Sequence, residues 1–304
     1  MEAQLRTISE IAGQKRIFIS GSSQAREGFD IEYLNREFNK TNTTFFNLGT
    51  GGSASVMILF TIKDRLLKKR PEIIIFMPFV GSFYSNYSSK RHPRVFNLAT
   101  LPYVSKYLGV KVVKSHKIDF IDSFLGKLSI FYKYRESIKR IIDSYVDYHI
   151  NGGEKLKPKK YVYKKNMRKS HFMKAIKEAK GNKYSVTPYT RLTEHLFILS
   201  ARDLISKGVK LIVISGPTHP LIKKCYKGEI DSAYNDFLLN QAKKIGFIYL
   251  SESQLPLFTE EEFIDFTHLN SRGRNKMSKF LKDYLQENHD LLEDANGRRD
   301  PFRD

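Results

Sequence analysis

The sequence has little of what would make several function classes readable at once. It contains one cysteine, Cys225, so an internal disulfide framework and a cysteine-rich zinc site are both excluded. The longest apolar run, Ile73 to Val80, falls well short of the about 20 residues that span a bilayer. The first residues, Met-Glu-Ala-Gln-Leu-Arg, hold no apolar signal region. There is no Gly-x-x-x-x-Gly-Lys-Ser/Thr phosphate loop, no dinucleotide fingerprint and no internal repeat. His116, His149 and His171 have no metal-ligand spacing, and nothing in the chain requires a cofactor.

Acidic residues are scarce in one place. The 304 residues carry a formal charge of +20. Residues 101–190 alone hold 21 Lys and Arg against 7 Asp and Glu, with 10 of the 17 tyrosines. The rest is a near-neutral framework, and 81–189 reads as a basic, tyrosine-rich, mainly helical insertion or lid within a single domain. Such a segment fits an anionic polymer, RNA included, or a membrane surface. The tyrosines accompany no RNP-type motif, which counts against nucleic acid. Equally, the lysines fit solvated faces in a chain rich in Lys, Asn and Ile. Within the insertion, His116 to Tyr134 sets Ile118, Ile121, Phe124, Leu125, Leu128 and Phe131 at helical spacing. That is the pattern of an amphipathic helix packed on a core, or of a lid or membrane-facing helix.

The framework alternates strands and helices. Short apolar runs at 16–20, 43–48, 72–79, 209–215 and 247–250 read as strands. Helical spacing covers 53–69, 190–207, 231–244 and 271–286. Continuous apolar strands between helices predict an α/β fold: a three-layer, doubly wound parallel sheet with helices on both faces. Residues 289–304 read as a polar tail.

Ligands of such sheets bind at the carboxyl ends of the strands. There the chain places Gly21-Ser22-Ser23, then Asn47-Leu48-Gly49-Thr50-Gly51-Gly52, then Gly216-Pro217-Thr218-His219. Asp265-Phe266-Thr267-His268-Leu269-Asn270 precedes the last helix. A serine at a strand-to-helix turn needs a general base to become a nucleophile. His268 could serve, with Asp265 orienting its imidazole. Taken singly, each piece also reads as an ordinary turn, helix cap or phosphate cradle; their order along the chain is what assembles them.

Phe-Ile-Ser-Gly-Ser-Ser, Asn-Leu-Gly-Thr-Gly-Gly-Ser and Asp-Phe-Thr-His-Leu-Asn resemble the first, second and fifth blocks of SGNH (GDSL-like) hydrolases. The style is similar to the branch that includes the DltD and AlgJ/AlgX proteins, which act beside membrane-bound O-acyltransferases. The resemblance covers roughly 14–80 and 190–288. It implies a flavodoxin-like sheet, with Ser23 as nucleophile, His268 as base and Asp265 as its orienter. The Ser23 and Gly52 N–H groups would form the oxyanion hole, with Ser22 the competing serine. It further implies an esterase or O-acyltransferase acting on an acylated carbohydrate or other acyl ester of a cell-surface polymer. A membrane-bound acyltransferase would be its partner and the cell envelope its location, and branch members commonly carry a membrane anchor before the first strand. The departure is in the third block, where Gly-x-Asn-Asp is replaced by Pro78-Phe79-Val80-Gly81-Ser82-Phe83-Tyr84-Ser85-Asn86. Asn86 is the neighbouring amide; Arg26 and His219 are further candidates for substrate contact. A non-catalytic scaffold that binds an anionic polymer is the rival reading.

Overall fold

The structure is a computed structural model that describes residues 14–50, 54–84, 96–128, 139, 186–223 and 228–292. The chain divides into two compact units, one of Ser88–Lys165 and the other of Met1–Tyr87 with Asn166–Asp304. The larger unit begins with β1 (Lys15–Gly21), α1 (Ser23–Gly28), α2 (Ile31–Glu37), β2 (Thr43–Asn47), α3 (Ser55–Leu67), β3 (Ile73–Met77) and α4 (Gly81–Tyr84). The smaller unit contains α5 (Leu101–Leu108), α6 (Val110–Ser115) and α7 (Lys117–Leu128). The larger unit then resumes with α8 (Pro188–Ser206), β4 (Lys210–Ile214), α9 (Pro220–Lys223), α10 (Gly228–Ile245), β5 (Ile248–Leu250) and α11 (Ser271–Glu287).

All five strands are parallel, in the order β2-β1-β3-β4-β5. Side chains alternate between the faces of a strand, so each strand feeds two cores. Ile17, Ile19, Ile73, Ile75, Met77, Ile212 and Ile214 pack with Leu34 of α2 and Met277, Leu281 and Leu285 of α11. On the opposite face Phe76 stacks on Phe197 of α8 with ring centroids 6.0 Å apart, and Phe197 meets Phe83 of α4 and Phe247 edge-on. Two apolar faces per strand are why the strands read as unbroken apolar runs. The fold is therefore the α/β sandwich expected, with the winding reversed between β1 and β3, where ligands of such sheets bind.

The junction after β1 is tight. Gly21 has φ +144°, and a Cβ there would lie 2.1 Å from the Met77 carbonyl oxygen. That carbonyl accepts a hydrogen bond from Ser22 N–H at 3.1 Å. Gly21→Ala combines a conformation that side chains rarely adopt with a backbone clash. It is expected to cost about 2–5 kcal/mol of stability, read as a drop in the urea midpoint at unchanged slope.

In the smaller unit the helix expected from residue 116 begins at Lys117. Its apolar row does not pack inward: Ile118, Ile121, Phe124 and Leu128 are exposed, and Phe120 is the buried side chain. Phe120 meets Phe96 edge-on, and Phe96 stacks on His116 at 3.9 Å. Spacing identifies an apolar stripe on a helix but not what covers it. Phe131 lies outside the described residues. Among them, no helix is long and apolar enough to cross a membrane.

Candidate active site

Ser23 opens α1 at the carboxyl end of β1. The preceding serine is spent on structure: Ser22 is buried, and its Oγ accepts the Gln24 N–H at 3.2 Å as the helix cap. Ser23 is half-buried. Its backbone N–H is among the first-turn donors that a helix leaves unpaired, and it has no acceptor among the described residues.

The partner comes from the far end of the chain. Phe263 bridges Leu269, and Ile264 N–H donates to His268 O at 2.8 Å, closing a tight loop over 263–269. Inside it Asp265 Oδ1 accepts the N–H groups of Thr267 (2.8 Å) and His268 (2.9 Å), so the carboxylate shapes the loop that carries the histidine. Asn270 then caps α11, accepting from Arg272 N–H at 2.9 Å. Gly273 lets that helix start close in, because a Cβ there would lie 2.4 Å from Glu262 O.

These loops set three side chains in line. His268 Nε2 lies 2.7 Å from Ser23 Oγ, and His268 Nδ1 lies 2.8 Å from Asp265 Oδ2. An ionised carboxylate only accepts, so Nδ1 carries the proton and Nε2 offers its lone pair to the serine hydroxyl. Burial by itself lowers the His268 pKa, but the hydrogen bond and charge of Asp265 outweigh it and raise the pKa above 6.5. Burial likewise acts to raise Asp265, and its hydrogen bonds to His268 and the Thr267 amide carry it below its usual range.

Two amides hold this arrangement that sequence reasoning did not assign. The Asn47 side chain, at the end of β2, donates to the carbonyls of Ala25 (3.1 Å) and Arg26 (3.0 Å) and accepts Gly49 N–H at 2.9 Å. It thereby ties the carbonyl end of α1 to the loop after β2. A Cβ on Gly49 would lie 2.3 Å from the Arg26 nitrogen. Gln24 is buried, and its Nε2 donates to Pro217 O (3.1 Å) and Thr267 O (3.2 Å), joining the Ser22–Ser23 turn to the Asp265–His268 loop. Asn47 opens the Asn-Leu-Gly-Thr-Gly-Gly-Ser block, so it had a signal; Gln24 had none beyond lying next to the serine.

Of the other expected site residues, Gly52 and Asn86 lie outside the described residues. Arg26 is exposed and pairs with Glu27. His219 is buried as a turn element: its Nδ1 accepts Leu221 N–H at 3.2 Å, and its ring meets Phe263 edge-on at 5.1 Å. Burial lowers its pKa, against the opposing charges of Glu260 and Asp265. Among the described residues, no three His, Cys, Asp or Glu side chains group as metal ligands.

A protein-family model matches residues 157–290, less than half of the chain. No curated protein matches the sequence. Among solved structures, the chain is similar to LAE5, an alpha/beta hydrolase enzyme from the metagenome of Lake Arreo, Spain. The TM-score is 0.40 at 10% identity, over 93% of this chain and 98% of that one. It is also similar to BT4096, a gut microbial diltiazem-metabolizing enzyme, with a TM-score of 0.39 at 12% identity over 92% of this chain. This chain spans about half the length of that enzyme, 48% of it being covered. Neither likeness informs the chemistry, which rests on the geometry above.

Proposed function

We propose that the protein is a serine esterase or O-acyltransferase of SGNH type, acting on acyl esters through Ser23. The observation that carries this reading is the unbroken hydrogen-bonded line from Ser23 Oγ through His268 to Asp265. In this mechanism His268 Nε2 takes the hydroxyl proton as Ser23 Oγ attacks the ester carbonyl. Asp265 steadies the imidazolium that forms. The tetrahedral oxyanion meets the Ser23 N–H, with Gly52 as the second donor. His268 then returns the proton to the leaving alkoxide, leaving an acyl-enzyme. A water, or a sugar hydroxyl, deprotonated by His268 releases the acyl group and restores the serine. The three sequence motifs extend the reading to an acylated cell-surface polymer as substrate, with a membrane-bound acyltransferase as partner.

A fluorophosphonate probe tests the assignment directly. Peptide mapping is expected to find the label on Ser23 and none on Ser22, whose hydroxyl is buried as a cap. Absence of label, or label on another serine, overturns the reading. The third block departs in sequence from Gly-x-Asn-Asp, reading Pro78-Phe79-Val80-Gly81-Ser82 at that point. An oxyanion donor of that kind is worth about 10²–10³ in rate, so turnover of simple esters is expected to be slow.

The pH profile follows from the raised His268 pKa. The base works only when neutral, so kcat/KM is expected to rise with pH through an inflection above 6.5. Stability moves oppositely. A group whose pKa is raised on folding stabilises fully below its unfolded pKa, and that contribution is lost as pH rises through the folded one. The His268–Asp265 pair is therefore tightest where the enzyme is least active. Thermal melts and rates across the same pH series check both signs, and an inflection below 6.5 would contradict the pairing.

A further inference from the structure

A cavity of about 390 Å³ opens at the carboxyl ends of β3, β4 and β5, with Gln24 in its wall one residue from the nucleophile. Its other walls include Phe79, Ser215, Asp231, Tyr234, Tyr249 and Glu252. Around Gln24 the count of hydrogen-bonding groups is one-sided: the donors there are consumed within the wall, while the Lys223 ammonium and the Gln254 amide keep donors elsewhere in the lining. Tyr249 OH donates to Asn235 Oδ1, so Ser215 Oγ, 2.8 Å away, donates to Tyr249. Tyr234 OH points to Pro78 O at 3.5 Å, and Asn235 Nδ2 donates to Asp231 O at 2.7 Å. Both hydrogens of Gln24 Nε2 go to the carbonyls of Pro217 and Thr267, which also fixes which way the amide faces.

The acceptors are left over. Gln24 is only 6% exposed, yet its Oε1 accepts no hydrogen bond from any described residue. The Asp231 carboxylate likewise accepts none; burial first, then the charge of Glu252, raises its pKa. Glu252 accepts Thr218 N–H at 3.1 Å through one oxygen, and Lys223 stands 3.5 Å from that oxygen with its side chain 59% exposed at the rim. Gln24 Oε1 and the Asp231 carboxylate face the cavity without a donor from any described residue, so a ligand that brings donors is matched to them.

We propose that this cavity binds the part of the substrate that carries hydroxyl or ammonium hydrogens, and rejects carboxylate- and phosphate-bearing parts, with Gln24 Oε1, Asp231 and Glu252 as its acceptors. The inference rests on Ser23 as the nucleophile, since it makes the cavity a substrate pocket. It separates the two charges of the molecule. An anionic partner drawn by the +20 net charge finds no seat in this cavity.

Glucose, glucosamine and glucuronate share one scaffold and differ in the group presented, so they serve as probes. Calorimetric titration into full-length Ser23→Ala protein needs no turnover. Glucuronate is expected to bind at least about tenfold more weakly than the better of the other two, because like charge opposes it. Glucosamine well ahead of glucose assigns the pocket to ammonium groups; equal binding assigns it to hydroxyls. Asp231→Lys is expected to move glucuronate to the front. The near-isosteric Asp231→Asn, less disruptive to folding, is expected to narrow the gap between glucosamine and glucuronate. Glucuronate binding as tightly as the others to the Ser23→Ala protein overturns the proposal. So does absence of binding by all three at millimolar concentration, or an unchanged gap between glucosamine and glucuronate in Asp231→Asn. Loss of fluorophosphonate labelling in wild type with the sugar order intact would remove the Ser23 chemistry and leave the pocket; the converse would remove the pocket alone.

Discussion

Ser23→Ala is expected to lower hydrolysis of a short-chain nitrophenyl ester by about 10⁴-fold or more, with the melting temperature nearly unchanged. The size of the loss follows from what alanine removes. Covalent catalysis ends altogether, because the other serine of the turn cannot substitute. Ser22 Oγ is committed to the Gln24 N–H, and its side chain is buried against the end of β1. The stability cost is small because Ser23 Oγ makes its one described hydrogen bond to His268 at a half-buried position. Steady-state rates with a thermal melt check the claim, since the melt separates a dead enzyme from a misfolded one. Equal rates for wild type and variant would show that the hydrolysis arises elsewhere.

Asp265→Asn is expected to be nearly as damaging, about 10⁴-fold in kcat, through a different cause. The Asp265 oxygens do two jobs. Oδ1 accepts two backbone N–H groups and thereby builds the loop, and both oxygens face His268 Nδ1, Oδ1 at 2.9 Å and Oδ2 at 2.8 Å. Asparagine can keep Oδ1 on the loop, which turns its NH₂ toward Nδ1. Where Nδ1 accepts from that NH₂, its proton moves to Nε2, and the lone pair that faced Ser23 is gone. The same change removes the charge that raises the His268 pKa, so the pH inflection is expected to fall as the rate does. A variant with near-normal rate, or one whose inflection stays put, would mean that Asp265 serves the loop alone.

How much of this is legible in the sequence depends on the range of the interactions. The strands are legible because both faces of each are covered, which leaves runs such as Ile73–Met77 apolar throughout. The serine turn and the Asp-x-x-His loop are legible for a local reason: Asp265 contacts residues two and three positions on, so the spacing itself encodes the geometry. Gln24 is opaque because its acceptors lie 193 and 243 residues away and are backbone carbonyls, which no side-chain pattern marks. The acceptor-rich cavity is opaque for a related reason. Asp231 and Glu252 look like any solvated acids until α10 and the loop after β5 bring them together. The apolar row of α7 misleads in the other direction, since its spacing is right for packing and Ile118, Ile121, Phe124 and Leu128 are exposed.

The hydrogen bond between Ser23 and His268 spans 245 residues of sequence. On the proposed chemistry, a chain still being synthesised carries Ser23 without its base until residue 268 has been added. The same separation makes activity a stringent report on completeness. Any fragment ending before residue 268 retains most of the sheet and none of the chemistry.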